Sequence, residues 1–245
     1  ALEHDEARWV IKRYEPAHEH RFETERLALR LLQPSAHVPR LLAAVRPARL
    51  LLLPYLPAPA SVSATAIAAA IAELHRLLQR HRDRLARAHP AATLAERLHH
   101  PPGLHQAAEP AALREHLQRL LASFGPGHVG VALGDIKPGN LRADGATLVL
   151  IDRESLQIGG YELLDLLLVA SLRPGGDPDD PDGAGLLAHL DWPAAIAAYC
   201  TVRRLDGYPW GVPDVARAMV ELAVGLGFAT ELVDELELVA RGCTT

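Results

Sequence analysis

The stretch from Leu133 to Glu154, LGDIKPGNLRADGATLVLIDRE, constrains this chain more than any other. It sets Asp135 five residues before Asn140, and Asn140 twelve residues before Asp152, along a loop, a short strand, a turn at Asp144 and Gly145, and a second strand. Two carboxylates and a carboxamide in such a frame are hard oxygen donors of the kind Mg²⁺ takes. Phosphoryl transfer needs little more from a protein than positioned metal, an aligned acceptor and compensation of phosphate charge. On this reading Asp152 and Asn140 hold Mg²⁺, Asp135 accepts or orients the proton of an acceptor hydroxyl, and Lys137 lies near the transferred group.

Residue usage sharpens the reading. Only two of the 25 basic residues are lysine, Lys12 and Lys137, and Asn140 is the sole asparagine. An ammonium is a compact, mobile charge that reaches a single phosphate oxygen in a tight cleft, where a planar guanidinium fits poorly. Two of these three rare residues share the loop DIKPGN, and the third sits in WVIK near the start of the chain.

Taken in order, residues 1–14 have the apolar, β-branched mix of a strand, with Trp9 and Ile11 on one face and Val10 and Lys12 on the other. His18 to Gln33 reads as a helix with Phe22, Leu29 and Leu32 at helical spacing, and with Glu23 and Glu25 available to pair with Lys12. Val38 to Leu56 reads as two strands joined near Pro47, and the proline-rich run Pro54 to Pro59 as a hinge. From Ser61 the pattern is helical through Ile67, Ile71, Leu74 and Leu78, with Ser61 or Ser63 as cap. A short turn over Leu94 to His99 and a helix over Ala107 to Phe124 follow. Strands are expected at His128 to Leu133 and Thr147 to Ile151, then helices at Tyr161 to Leu172, Pro193 to Arg203, Val212 to Leu226 and Thr230 to Arg241. The acidic run starting at Arg173, RPGGDPDDPDGAG, reads as a mobile loop, and the chain shows no internal repeat. This gives a small lobe over residues 1–57, on the nucleotide side, and a helical lobe over residues 58–245.

Composition narrows the partners. At 49% hydrophobic the chain can bury a substantial core, and a net charge of −5 without a sustained basic cluster argues against a nucleic-acid surface. Apolar runs such as Leu50 to Leu56 are too short to span a bilayer, and no export signal opens the sequence. Cys200 and Cys243 make no disulfide framework, so the expected location is the cytoplasm. The expected partners are a nucleotide and a small-molecule substrate.

The central stretch resembles the aminoglycoside phosphotransferase and choline kinase superfamily of small-molecule kinases. Gly134, Asp135, Ile136, Pro138, Gly139 and Asn140 match its His-Gly-Asp-(Leu/Ile)-x-Pro-x-Asn loop. Ile151, Asp152 and Glu154 match its Ile-Asp-x-Glu metal motif, followed by Gly160, Asp165 and Leu166. The resemblance implies an α+β, protein-kinase-like, two-lobed fold with a small β-rich N-terminal lobe and a mostly helical C-terminal lobe. It also implies ATP or another nucleoside triphosphate and Mg²⁺ as cofactors. Lys12 then corresponds to the strand lysine that meets nucleotide phosphates, and Glu25 to its helix partner. Leu51 to Pro57 resembles the interlobe hinge, with the Pro54 carbonyl and the Leu56 amide facing adenine, and AIAELHRL around His75 resembles the first large-lobe helix.

Three departures stand out. Leu133 takes the place of the family's histidine; Lys137 gives the loop a Ser/Thr protein-kinase flavour; and no glycine precedes Gly103, so a glycine-rich loop is not found before Lys12. The sequence also begins without Met, which is expected to reflect a missing start or a truncated small lobe. The leading expectation is a kinase acting on a hydroxyl of an aminoglycoside-like antibiotic, a sugar or an amino alcohol. A nucleotide-sensing pseudokinase and a protein Ser/Thr kinase are the rivals. For a cationic or sugar substrate, Glu221, Glu231, Asp234, Glu235 and Glu237 offer charge, and Trp192, Tyr199, Tyr208 and Trp210 offer stacking faces. A solvated helix face and the hydrophobic core are their ordinary alternatives.

Overall fold

Alternate leucines of Leu50–Pro54 are buried, as expected of a strand with one face on a core, and this strand is the centre of the small sheet. In the computed structural model, which describes residues 8–88, 129–174, 186–187 and 189–242, the sheet has the order β1-β3-β2. Its strands are β1 (Trp9–Arg13), β2 (Ala43–Val45) and β3 (Leu50–Pro54), all antiparallel, with Lys12 opposite Leu51 and Trp9 opposite Pro54. β2 is shorter than the sequence suggested, since Val38 to Leu42 lies outside any strand. Helix α1 (Glu19–Leu32) follows a 3-10 turn at Pro16–His18 and buries Phe22, Leu29 and Leu32, the three positions its periodicity picks out.

Helix α2 (Ala64–Arg80) starts where Ser63 accepts a hydrogen bond from Ala66 N at 3.1 Å, satisfying one of the free donors of the first turn. Ile67, Ile71, Leu74 and Leu78 are fully buried, each stabilising the fold by roughly 1.5–3 kcal/mol. The helical signal is interrupted at His81, which leaves helical geometry, and a shorter α3 (Arg82–Ala88) follows with Leu85 buried. The expectations for Leu94 to His99, Ala107 to Phe124 and most of the acidic run after Arg173 fall outside the described residues.

The central stretch folds into two small sheets. β5 (Leu141–Asp144) and β6 (Thr147–Leu150) form a hairpin, with Asp144 and Thr147 as its last pair. β4 (Val129–Ala132) pairs instead with β7 (Gln157–Tyr161), a strand absent from the sequence reading because QIGGY carries adjacent glycines of low strand propensity. Gly130 needs its lack of a side chain: an added Cβ would lie 1.9 Å from Glu162 Oε1.

The rest is helical: α4 (Glu162–Leu167) with a 3-10 continuation Leu168–Leu172, α5 (Trp192–Arg203), α6 (Val212–Leu226) and α7 (Thr230–Ala240). Asp191 caps α5 through Ala194 N at 3.0 Å, Pro193 occupies its first turn, and Gly227 ends α6 in left-handed geometry. α2 packs along α5, and α6 pairs with α7. Of the four aromatics considered for stacking, Trp192, Tyr199 and Tyr208 are buried in this core. Among the acidic residues of α7, Glu235 is held by Arg173 and by Trp192 Nε1, and Glu237 by Arg241. No helix among the described residues is long and apolar enough to cross a membrane.

Candidate active site

Lys12 points from β1 into a cleft where three carboxylates meet. Its ammonium lies 2.7 Å from Glu25 Oε2, 2.8 Å from Asp152 Oδ1 and 3.0 Å from Glu154 Oε2. Burial disfavours the charged ammonium, but Glu25 and Asp152 outweigh it and hold its pKa above the usual lysine range. Tyr14, two residues on along the chain, donates to the same Glu25 oxygen; burial and that carboxylate push its phenol pKa up, so it stays a donor. Glu25 is itself almost fully buried on α1. The helix thus delivers one carboxylate to the cleft, while Glu23 faces away and binds Arg26 and Arg46.

One oxygen each from Glu25, Asp152 and Glu154 lie within 4.8 Å of one another, a set of hard donors that fits a divalent cation. Asp152 has a φ of +64°, a left-handed conformation that costs a non-glycine residue about 1–2 kcal/mol and that turns the chain sharply after β6.

The second cluster is the loop between β4 and β5. Asn140 Nδ2 donates to Asp135 Oδ2 at 2.7 Å and to the Asp135 carbonyl at 3.1 Å, leaving the Asn140 side-chain oxygen as its remaining acceptor. The Lys137 ammonium sits 3.2 Å from Asp135 Oδ2. Asp135 Oδ1 is buried and accepts no hydrogen bond among the described residues, so a carboxylate lone pair is left for an incoming group. The two clusters abut through their backbones, Ile151 N donating to Asn140 O at 2.9 Å.

The loop is held from beneath by Asp165, which accepts from Leu133 N at 2.6 Å and Gly134 N at 2.8 Å and binds His75 Nε2 at 2.7 Å. His75 in turn meets the Tyr199 hydroxyl at 3.1 Å. Gly134 has a φ of +85°, and a Cβ there would lie 2.4 Å from Ser155 O, so the residue before Asp135 has to be glycine. Leu133 is fully buried and joins this support through its amide, so its packing is apolar where the family pattern has histidine.

Between β1, β3 and the central hairpin lies a cavity of about 340 Å³, lined at one end by Lys12, Glu25 and Asp152 and elsewhere by Val10, Leu53, Leu56 and Ile151. Pro54 and Leu56, both within the expected hinge, border it. Arg142 also lines it, a residue without a role in the sequence analysis; its place two residues after Asn140, in the strand leaving the loop, is the signal that marks it. Ala143 N donates to Pro57 O at 2.9 Å, which fixes Arg142 at the Pro54–Leu56 end of the cavity. Of the residues singled out from the sequence, the structure brings Lys12, Glu25 and Asp152 together in one cluster and Asp135, Lys137 and Asn140 in the other. It gave Tyr14 no part, because a tyrosine after a strand carries no local mark of what its hydroxyl will meet.

The sequence matches the family model described as the phosphotransferase enzyme family over residues 1–210. A comparison with curated proteins finds no match. Among solved structures, the chain is similar to the apoenzyme of macrolide 2′-phosphotransferase MphH from Brachybacterium faecium, with a TM-score of 0.55 and 21% identity over 98% of this chain and 81% of that one. This likeness is one of fold. It is also similar to amicoumacin kinase hAmiN in complex with AMP-PNP, Ca²⁺ and Ami, with a TM-score of 0.49 and 13% identity over 96% of this chain and 82% of that one. Choline kinase LicA from Streptococcus pneumoniae gives a TM-score of 0.44 and 15% identity over 92% of this chain and 88% of that one. These two overlay too loosely to carry an argument.

Proposed function

The chain belongs to the phosphotransferase enzyme family, and from that premise we propose that it transfers a phosphoryl group from an Mg²⁺-bound nucleoside triphosphate, ATP or another, to a hydroxyl of a small molecule. An aminoglycoside-like antibiotic, a sugar or an amino alcohol is the acceptor class. In this reading residues 1–57 form the nucleotide side and residues 58–245 the lobe that holds the catalytic loop and the acceptor, and the enzyme works in the cytoplasm. The observation that carries the proposal is the free buried oxygen of Asp135, in a loop whose backbone abuts the Lys12, Glu25 and Asp152 cluster.

The roles follow from the geometry. Asp135, held by Asn140 and Lys137 through Oδ2, presents Oδ1 to the acceptor hydroxyl and takes its proton. Lys137, 3.2 Å from Oδ2, offers positive charge beside the Asp135 carboxylate. Lys12, fixed by Glu25 and Tyr14, offers its ammonium to nucleotide phosphates. Asp152 and the Asn140 side-chain oxygen would hold Mg²⁺, with Glu154 and Glu25 close enough to assist. When bound, the metal supplies charge neutralisation of the phosphate oxygens. The purine enters against Val10, Leu53 and the Pro54–Leu56 backbone, where Pro54 lacks an N–H and can only accept.

The protein-kinase rival is disfavoured by the short path after Asp152, since β7 and then α4 at Glu162 follow within ten residues and leave no room for a long activation segment. The deciding measurement is nucleotide consumption with Mg²⁺ across a panel of aminoglycosides, macrolides, sugars and amino alcohols, beside a protein acceptor. Turnover with one small-molecule class is expected. A nucleotide-induced rise in melting temperature without turnover on any acceptor would favour the nucleotide-sensing reading, and phosphorylation of the protein alone would overturn the proposal.

A further inference from the structure

On the side of α1 away from the cleft, a pocket of about 230 Å³ is lined by Arg26, Leu27, Arg30, Ala44, Arg46 and Arg84. Four of these six are arginines, in a chain whose net charge is −5. They come from separate places. Arg26 and Arg30 stand one helical turn apart on α1, Arg46 follows β2, and Arg84 belongs to α3. Chance alternation along one element does not bring them together; the tertiary fold does.

Glu23 is the one carboxylate that these arginines bind among the described residues. Arg26 donates from Nε at 2.9 Å and from Nη2 at 2.5 Å to Glu23 Oε2, while Arg46 reaches both carboxylate oxygens, at 3.1 Å and 3.2 Å. Burial opposes the charge on Glu23, but hydrogen bonds from Arg26 and Arg46 hold its carboxyl below the usual range, so the surroundings are electropositive. Arg30 and Arg84 have no ionic or hydrogen-bond partner among the described residues. Arg26 is itself more than nine-tenths buried with its fork taken up by Glu23, so Arg30 and Arg84 are the arginines left to meet a ligand. Four arginines thus line one pocket, and Glu23 answers only two of them, so positive charge is left there for an anion to meet.

We propose that this pocket binds a small phosphate-bearing anion, distinct from the nucleotide in the cleft. The arginine fork matches phosphate oxygens bidentately, and the volume is below the roughly 300–1,000 Å³ of drug-sized sites, which suits a phosphate or diphosphate group better than a whole nucleotide. An anion there would join α1 and the end of β2 to α3. Arg26 adjoins Glu25 on α1, so the helix that carries the Lys12 partner is the helix the anion would hold.

The test is isothermal titration of the full chain with inorganic pyrophosphate, without Mg²⁺ and at constant ionic strength. It compares wild type, Arg30→Glu/Arg84→Glu and Lys12→Met, with folding of each variant checked by its melting curve. One saturable site is expected in wild type, retained in Lys12→Met and weakened about tenfold or more in the double variant, as loss of charge-assisted hydrogen bonds requires. Arg30→Lys/Arg84→Lys, which keeps charge but loses the forks, is expected to fall between. Retention in the double variant with loss in Lys12→Met would assign the phosphate to the cleft and overturn the proposal. No saturable binding of pyrophosphate, or binding only of single-stranded oligonucleotides that strengthens with length, would overturn it too.

Discussion

Lys12 Nζ and Asp152 Oδ1 are separated by 140 residues of sequence and by 2.8 Å in space. The ammonium sits among the same three carboxylates that fit a divalent cation. A metal bound there would compete with the lysine for Asp152. Lys12→Met is expected to lower the melting temperature, through a loss of about 1–3 kcal/mol as the carboxylates face each other without a cation. It is also expected to enlarge the melting-temperature rise given by Mg²⁺ alone relative to wild type. Thermal melts with and without Mg²⁺ check both, and an Mg²⁺ response equal to wild type would show that the ammonium and the metal use different oxygens.

Asp135 and Asp152 should separate by experiment. Asp135→Asn keeps the loop's size but loses the base, so turnover is expected to fall about a hundred- to ten-thousandfold while nucleotide affinity stays near wild type. Asp152→Asn is expected to remove the rise in melting temperature that nucleotide gives with Mg²⁺. Equal losses of binding and turnover in Asp135→Asn would assign it to the nucleotide instead.

Arg142 tests the base end of the cavity. A guanidinium donor suits a purine with acceptors at both O6 and N7, and meets a donor on adenine. Arg142→Leu is expected to shift the ratio of GTP to ATP affinity towards ATP by about tenfold, read by competition binding. An unchanged ratio would mean that the side chain does not meet the base.

The α5 core contains a charged pair whose loss should be severe. Arg203 Nη1 lies 2.5 Å from Glu162 Oε2, both side chains are nearly fully buried, and the guanidinium is 4.9 Å from the Tyr208 ring centre. Glu162→Gln leaves that cation without its counter-charge and is expected to destabilise the fold by about 3–5 kcal/mol in urea unfolding. Glu162→Leu/Arg203→Met is expected to recover most of the loss, because replacing both partners avoids a lone buried charge.

Alkaline pH gives a further check. Burial pushes the Cys200 thiol up from 9.0 to about 11, against the pull of Arg204. Between those values the unfolded chain has already released a proton that the native state keeps. Stability therefore falls as pH rises from about 9 to about 11. Cys200→Ala should make that decline shallower in urea midpoints measured across the window, and Cys200 should resist alkylation at pH 8 until the protein unfolds.

Local chemistry made much of this protein legible in its sequence. Helical spacing located α1 and α6 to within a residue or so, because their buried leucines recur with the period of the helix itself. The spacing of Asp135, Asn140 and Asp152 announced phosphoryl chemistry, because a metal and a base need those oxygen donors in a loop between strands. The periodicity left Glu23 and Glu25 both open as partners of Lys12, the family resemblance pointed to Glu25, and Glu25 lies 2.7 Å from Lys12.

What depended on distant segments was not legible. β7 exists because β4 needs an edge partner, and its own glycines argue against a strand. Tyr14 on Glu25, His75 beneath the loop through Asp165, and Arg142 in the cavity are each ordinary residues in their own stretch. The sequence by itself determined which atoms could do the chemistry. Tertiary structure alone decided that Asp135 keeps one buried oxygen free, and that four arginines from three elements meet behind α1, because burial and pairing are properties of what packs together and not of what is adjacent in the chain.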